Sequence, residues 1–387
     1  MSERGVPPPV DDPAGHGIDL AALDALVSRA HREIDGGLLP SCQLALARHG
    51  RLVAHVTLGE AAPASRYVVF SCTKAVVAAT VWQLIGEQKL RPEQKVVELI
   101  PEFGTNGKEV ITVEHLLTHT GGFPRAPLGP PTWFTRQDRV RRFSEWGLNW
   151  RPGSAYEYHP TSAHWVLAEM IERIEGRDYR EVATDRVCRP LGLEALRVGV
   201  PRDEQDDVNE LVACGEPATA AEIRAVLGVD ARPVTEVTDE NLLRFNDPEV
   251  RALGVPGAGA VSTAGDLALF YQALLHNPGG LWDPFVLADG TSRVRDLPPD
   301  ALTGLSASRT LGLVVAGEDG NGALRGFGRT SSARAFGHDG AAGQVAWADP
   351  ESGLSFAYCT NGVDAHVLRY YRRTVALSSL AAVCAPA

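Results

Sequence analysis

Residues Ser71-Cys-Thr-Lys-Ala-Val-Val-Ala-Ala-Thr-Val-Trp-Gln-Leu-Ile85 carry apolar side chains on nearly every face of a helix, so the fold must close protein around that helix on all sides. A surface helix shows one apolar stripe; this one needs neighbours all round. At 387 residues and 44% apolar content the chain can supply them, in one large domain or two interleaved ones. The apolar stretch from Ala75 to Ile85 is too short to cross a bilayer. Lys74 is the exception to the pattern, a cation in the first helical turn, where it opposes the helix dipole.

The flanking segments set the fold class. Leu20, Leu23, Leu26, Val27 and Ala30 share one face of a helix predicted over 18–34. Two alternating runs, 43–48 and 52–57, are separated by His49-Gly50-Arg51, which predicts an antiparallel hairpin. A third apolar run, 67–70, leads into Ser71. From there to about residue 252 the pattern predicts helices at 112–119, 162–175 and 179–187, joined by Pro- and Gly-containing loops, with an acidic, weakly patterned stretch over 200–247. A helix over 264–276 follows, then strands at 310–316, 344–348 and 355–359, a turn at 349–353 and a last helix over 365–383. Strands at both ends around a helical middle predict an α+β fold: one antiparallel sheet built from both termini, flanked by the N- and C-terminal helices, with an inserted mainly helical region. The expected division is a disordered tail (1–17), a discontinuous sheet domain (18–70 and 255–387) and a helical domain (71–254).

Charge and cysteine usage narrow the function. Thirty-seven basic against 48 acidic residues leave a net charge of -11, which disfavours nucleic acid as a partner. The opening Met1 to Val10 lacks a cationic start followed by an apolar run, so the expectation is a soluble, cytoplasmic protein with no signal peptide and no membrane partner. Cysteines 42, 72, 188, 214, 359 and 384 form no CxxC or CxxxC pair and are expected as free buried thiols rather than zinc or disulfide ligands.

Ser71 and Lys74, three apart at a helix entrance, fall on one face within mutual reach. Serine becomes a nucleophile when a base takes its proton, and a lysine can serve once burial brings it from about 10.4 to near 7, a change of roughly 4–5 kcal/mol. A capping serine beside a snorkelling lysine would give the same spacing. Residue choice argues for chemistry. The chain uses arginine almost everywhere, its only lysines being Lys74, Lys89, Lys95 and Lys108, and arginine cannot give up its proton. Tyr158 lies in a turn before an apolar helix and can be presented into a cleft, or can simply close the loop as a half-buried aromatic. Gly337-His338-Asp339-Gly340-Ala341-Ala342-Gly343 offers backbone N–H groups for an oxyanion. His115 and His119 have the i, i+4 spacing of metal ligands but lack the HExxH glutamate. His159 and His164 flank Tyr158, either tuning it or sitting as ordinary loop and helix residues. Neither a GxSxG elbow nor a phosphate-binding glycine loop is present. The expectation is no metal and no cofactor.

Together these pieces resemble the serine β-lactamase and penicillin-binding-protein superfamily, in particular its class C-like branch, the family VIII carboxylesterases. Ser71-Cys-Thr-Lys74 is similar to the SxxK motif, Tyr158 to the tyrosine of YxN, and His338-Asp339-Gly340 to the third motif, KTG or HxG. His115-Leu-Leu-Thr-His-Thr-Gly-Gly-Phe-Pro124 and Pro256-Gly-Ala-Gly-Ala-Val-Ser-Thr263 match the framing stretches, so the resemblance spans about residue 18 to the end. It implies that Lys74 and Tyr158 manage the Ser71 proton, that the backbone N–H groups of Ser71 and Ala341 bind the oxyanion, and that His338, Asp339 and Gly340 line the substrate site. Two departures, Pro160 for the YxN asparagine and His338 for a lysine, remove groups that would bind an amide and a carboxylate. The expected function is a carboxylesterase acting on small or medium acyl esters through a Ser71 acyl-enzyme. Alternatives are an acyltransferase or an amide or β-lactam hydrolase using the same intermediate, and a catalytically silent binding protein on the same fold.

Overall fold

The computed structural model describes residues 8–227 and 236–386. In chain order the strands are β1 (Ser41–Arg48), β2 (Arg51–Gly59), β3 (Tyr67–Val68), β4 (Arg197–Val198), β5 (Val212–Cys214), β6 (Ala260–Ser262), β7 (Val314–Val315), β8 (Phe336–Asp339), β9 (Val345–Asp349), β10 (Leu354–Thr360) and β11 (Gly362–Asp364). Six of them form an antiparallel sheet in the order β2-β1-β10-β9-β8-β7, joining the two ends of the chain as expected of the α+β fold. The β1–β2 hairpin turns through His49 and Gly50, both at positive φ, the geometry of a tight two-residue turn.

Alternation along the strands sorts side chains by size. On one face of the sheet Leu44, Leu46, Val345, Trp347, Phe356 and Tyr358 meet helices α1 (Leu20–Asp35) and, at the chain's end, Val367–Ala382. On the other, Ala45, Ala47, Ala346, Ala348 and Ala357 present small side chains to the helix Ala264–His276, which can lie close because little projects there. The helix expected around Lys74 is α2 (Thr73–Gly86); it is buried from Thr73 to Leu84, and Ser162–Glu175 (α3) packs against it. Helices Ala264–His276 and Val367–Ala382 are α4 and α5. Among the described residues no helix is long and apolar enough to cross a membrane.

Several expectations are corrected. Residues 8–17, expected as part of a disordered tail, lie against the hairpin: Asp11 N–H donates to Leu52 O at 2.8 Å and its carboxylate pairs with Arg51. Residues 1–7 fall outside the described residues. The run 67–70 gives strand only over Tyr67–Val68, and β3 joins β6 and β4 in a separate small sheet. The strand expected over 310–316 shrinks to β7, because Thr310–Leu313 fold into a turn in which Thr310 N–H donates to Leu313 O and Gly312 takes φ 116. There a Cβ would come 2.6 Å from Ala78 Cβ. Conversely, Phe336–Asp339, which falls outside the strands expected from the sequence, is itself a strand between β7 and β9.

The ends of the chain are also tied by charge. Arg373 on α5, fully buried, donates from Nε to Glu33 of α1 at 2.7 Å and from Nη2 to Asp364 of β11 at 2.7 Å.

Candidate active site

Ser71 stands where the small sheet, β8 and α2 meet. Its spacing predicts that it opens the helix directly; instead Phe70–Cys72 form a single 3-10 turn and α2 begins at Thr73. Phe70 takes φ 43, a left-handed conformation unusual for a bulky residue. Three contacts hold it: Thr73 Oγ1–H donates to Phe70 O at 2.5 Å, Ala260 N–H donates to Thr73 Oγ1 at 2.9 Å, and Cys72 Sγ–H donates to His338 O at 3.3 Å. The turn is thereby fixed to both β6 and β8, with Ser71 itself only partly covered.

Lys74 is fully buried, and its Nζ lies 3.2 Å from Ser71 Oγ and 2.7 Å from each of two carbonyl oxygens, Pro160 O and Gly257 O. None of the three partners is a carboxylate. Burial first, and the positive charge of Arg309 second, bring the amine down to about 7. In its neutral form the two N–H bonds satisfy the two carbonyls and the remaining lone pair faces Ser71 Oγ, the orientation a proton acceptor needs. Gly257 is required here, since a Cβ would stand 2.8 Å from Pro160 O and 3.2 Å from Lys74 Nζ.

Tyr158, presented by the loop before α3, has Lys74 Nζ 4.9 Å and the Arg309 guanidinium 5.2 Å from its ring centroid. Its Oη is buried and makes no hydrogen bond of good geometry. Burial pushes the phenol well up; Arg309 and then Ser71 pull the other way, so the hydroxyl of Ser71 is close enough to favour a phenolate. The ring rests on His119, 4.6 Å between centroids. His119 takes φ 59, and its Nδ1 accepts the N–H of His159 at 3.2 Å. His159 Nε2 accepts from Phe123 N–H, and burial holds that imidazole neutral, down to about 3. His115 Nδ1 accepts from Thr112 N–H at 3.2 Å, so the two histidines with ligand-like spacing each use a ring nitrogen to cap backbone.

His338 and Gly340 border the same space, and the Asp339 side chain is 60% exposed. Gly340 lies against the nucleophile turn, since a Cβ there would come 2.5 Å from Val69 O. Gly340→Ala should therefore move the end of β8 away from Ser71. We expect kcat/KM for a short-chain ester to fall by about 10- to 100-fold while the melting temperature stays within a few degrees; an unchanged rate would mean that the approach does not matter. Ala341 opens a short 3-10 turn immediately beyond.

Three members of the site carry no mark in the sequence. Pro160, which as expected offers no polar side chain, contributes its backbone carbonyl. Arg309, buried, donates from Nε to Tyr156 Oη at 3.1 Å and from Nη1 to His338 Nε2 at 3.2 Å. Glu236 accepts from Thr161 Oγ1–H at 2.9 Å and is raised by burial; it comes from the acidic stretch that lacks a pattern. Arg309 is one of many arginines, and only its surroundings distinguish it.

Comparison with known proteins fits this geometry. Residues 27–381 match the family described as Beta-lactamase. Esterase EstB of Burkholderia gladioli is 28% identical over 324 residues, covering 73% of this chain and 77% of its own. The esterase/beta-lactamase LipL of Mycobacterium tuberculosis is 26% identical over 314 residues, covering 76% and 68%. Among solved structures, a penicillin-binding protein homolog from Caulobacter crescentus superposes with a TM-score of 0.75 at 28% identity, over 94% of this chain and 98% of that one.

Proposed function

The chain belongs to the beta-lactamase family, and within it we propose a carboxylic ester hydrolase that acts on small or medium acyl esters through a covalent intermediate on Ser71. The observation that carries the reading is the Lys74 amine, held without a carboxylate at 2.7 Å from two carbonyls and 3.2 Å from Ser71 Oγ. The names of two relatives, an esterase and an esterase/beta-lactamase, support the same class.

In the proposed sequence Lys74 takes the Ser71 proton as Oγ attacks the ester carbonyl. The backbone N–H groups of Ser71 and Ala341 receive the oxyanion. Tyr158, linked to Lys74 through the same site, returns the proton to the departing alcohol, and water activated by the same pair then releases the acid. His338, Asp339 and Gly340 border the bound ester. Pro160 leaves this part of the site without a side-chain amide to hold a substrate amide, which favours esters over amides.

Ser71→Ala tests the reading. Turnover of a p-nitrophenyl short-chain ester should fall by about 10⁴-fold or more, and labelling by a fluorophosphonate should vanish. Retention of either signal would remove Ser71 from the mechanism.

A further inference from the structure

We propose that Arg309 is the positioning residue of this site: its guanidinium, clamped between Tyr156 and His338 and laid over the Tyr158 ring that Lys74 also faces, is the fixed positive charge set beside both proton-handling groups. The proposal rests on Ser71 being the nucleophile.

Both hydrogen bonds of Arg309 go to neutral groups, Tyr156 Oη and His338 Nε2. Among the described residues no carboxylate forms an ion pair with it, although a buried guanidinium carries a large desolvation cost. That cost calls for a compensating role. Because arginine has no acceptor, His338 Nε2 must accept, which leaves the imidazole proton on Nδ1, 2.6 Å from Asp339 O. Protonating His338 would break the Arg309 bond, and burial with the nearby Arg309 charge holds it well below its usual range. The cation of this wall therefore sits at position 309 and cannot sit at 338.

The other groups around Lys74 give the sign of the effect. Beside burial, Arg309 opposes its charged form, whereas Glu236, Asp339 and Cys72 favour it. His119 and His164 are kept neutral by burial, with Arg309 and Lys74 adding to the effect. On Tyr158, Arg309 is the largest influence favouring the phenolate, against Asp339 and Tyr156. One charge thus acts on both proton-handling groups in the direction the reaction uses.

Removing it lets Lys74 hold its proton to higher pH. In Arg309→Met the acid limb of kcat/KM for uncharged p-nitrophenyl acetate, expected near pH 7 in the wild type, should rise by about one unit. The value of kcat should fall by about 10- to 100-fold with KM changed less than about threefold. Arg309→Lys should restore the limb and most of kcat. A folded Arg309→Met protein whose limb stays in place, or whose KM rises while kcat holds, overturns the proposal, the latter by making Arg309 a substrate anchor. If the methionine variant does not fold, Arg309→Lys and Tyr156→Phe, which both keep the charge, must hold the limb at its wild-type pH; displacement in either overturns it. Failure of the Ser71 reading looks different, since it abolishes neither labelling nor turnover in Ser71→Ala.

Discussion

Lys74→Met should lower kcat for a short-chain ester by about 10³-fold or more and should also change how the fold responds to pH. An unfolded lysine holds its proton to about pH 10.4, whereas burial brings the folded Lys74 to about 7. Between those values the unfolded chain binds a proton that the native protein lacks, so wild-type stability falls as the pH is lowered through this window. This group alone accounts for about 4–5 kcal/mol of that loss, which is complete below pH 7. Lys108, brought by burial to about 8, behaves similarly but is common to both proteins and cancels in the comparison. Methionine removes the titration and leaves Pro160 O and Gly257 O without a donor, at a cost of about 1–3 kcal/mol each. The difference in urea-unfolding free energy between variant and wild type should therefore move in the variant's favour from pH 10 to pH 7 and be flat from 7 to 6. A difference that does not vary over pH 7–10 would mean that Lys74 keeps its charge in the fold, and with it the proposed base would be lost.

The second large effect concerns the joint between the chain's ends. Arg373→Met should destabilise the protein by about 3–5 kcal/mol, because Glu33 and Asp364 would lose the guanidinium that neutralises them in the interior. Glu33 keeps Arg29 at 2.5 Å and Asp364 keeps Arg369 at 2.5 Å, which places the expected value toward the lower end. Although burial raises the Asp364 carboxyl, Arg369 and Arg373 hold it below its usual range. Its contribution is therefore present above about pH 4 and lost as the pH falls below that. In the variant the Asp364 carboxyl is held down less, so this acid-linked loss should shrink and the deficit against the wild type should narrow as the pH falls below about 4. Urea titrations at pH 7 and at about pH 3 check both points, and a loss under about 1 kcal/mol at pH 7 would show that the cluster is dispensable. Ester turnover per folded molecule should be unaffected, since none of these residues borders Ser71.

Short-range features of the fold are legible in the sequence because they depend on neighbours in the chain. The α2 burial pattern, the His49-Gly50 turn and helices such as 162–175 and 264–276 follow from spacing and turn chemistry within a few residues. Other segments mislead for equally physical reasons. The apolar run 310–316 has strand composition, but Gly312 folds it into a turn against Ala78, which spacing does not reveal. The His338-Asp339-Gly340 segment carries no strand pattern, yet the missing Cβ of Gly340 is what lets the end of β8 approach Val69 O.

The candidate site divides along the same line. The three-residue step from Ser71 to Lys74 guarantees that a hydroxyl and an amine share a helix face, and the scarcity of lysine marks that position by residue type alone. What makes the amine a base lies far away in the chain: carbonyl oxygens 86 and 183 residues distant, and Arg309 over the same Tyr158 ring. Every residue has a carbonyl and this chain has many arginines, so residue type cannot single these out. Local order along the chain is enough to specify which groups could react; desolvation and fixed charge, which arise only when distant segments pack, set the protonation state in which they do.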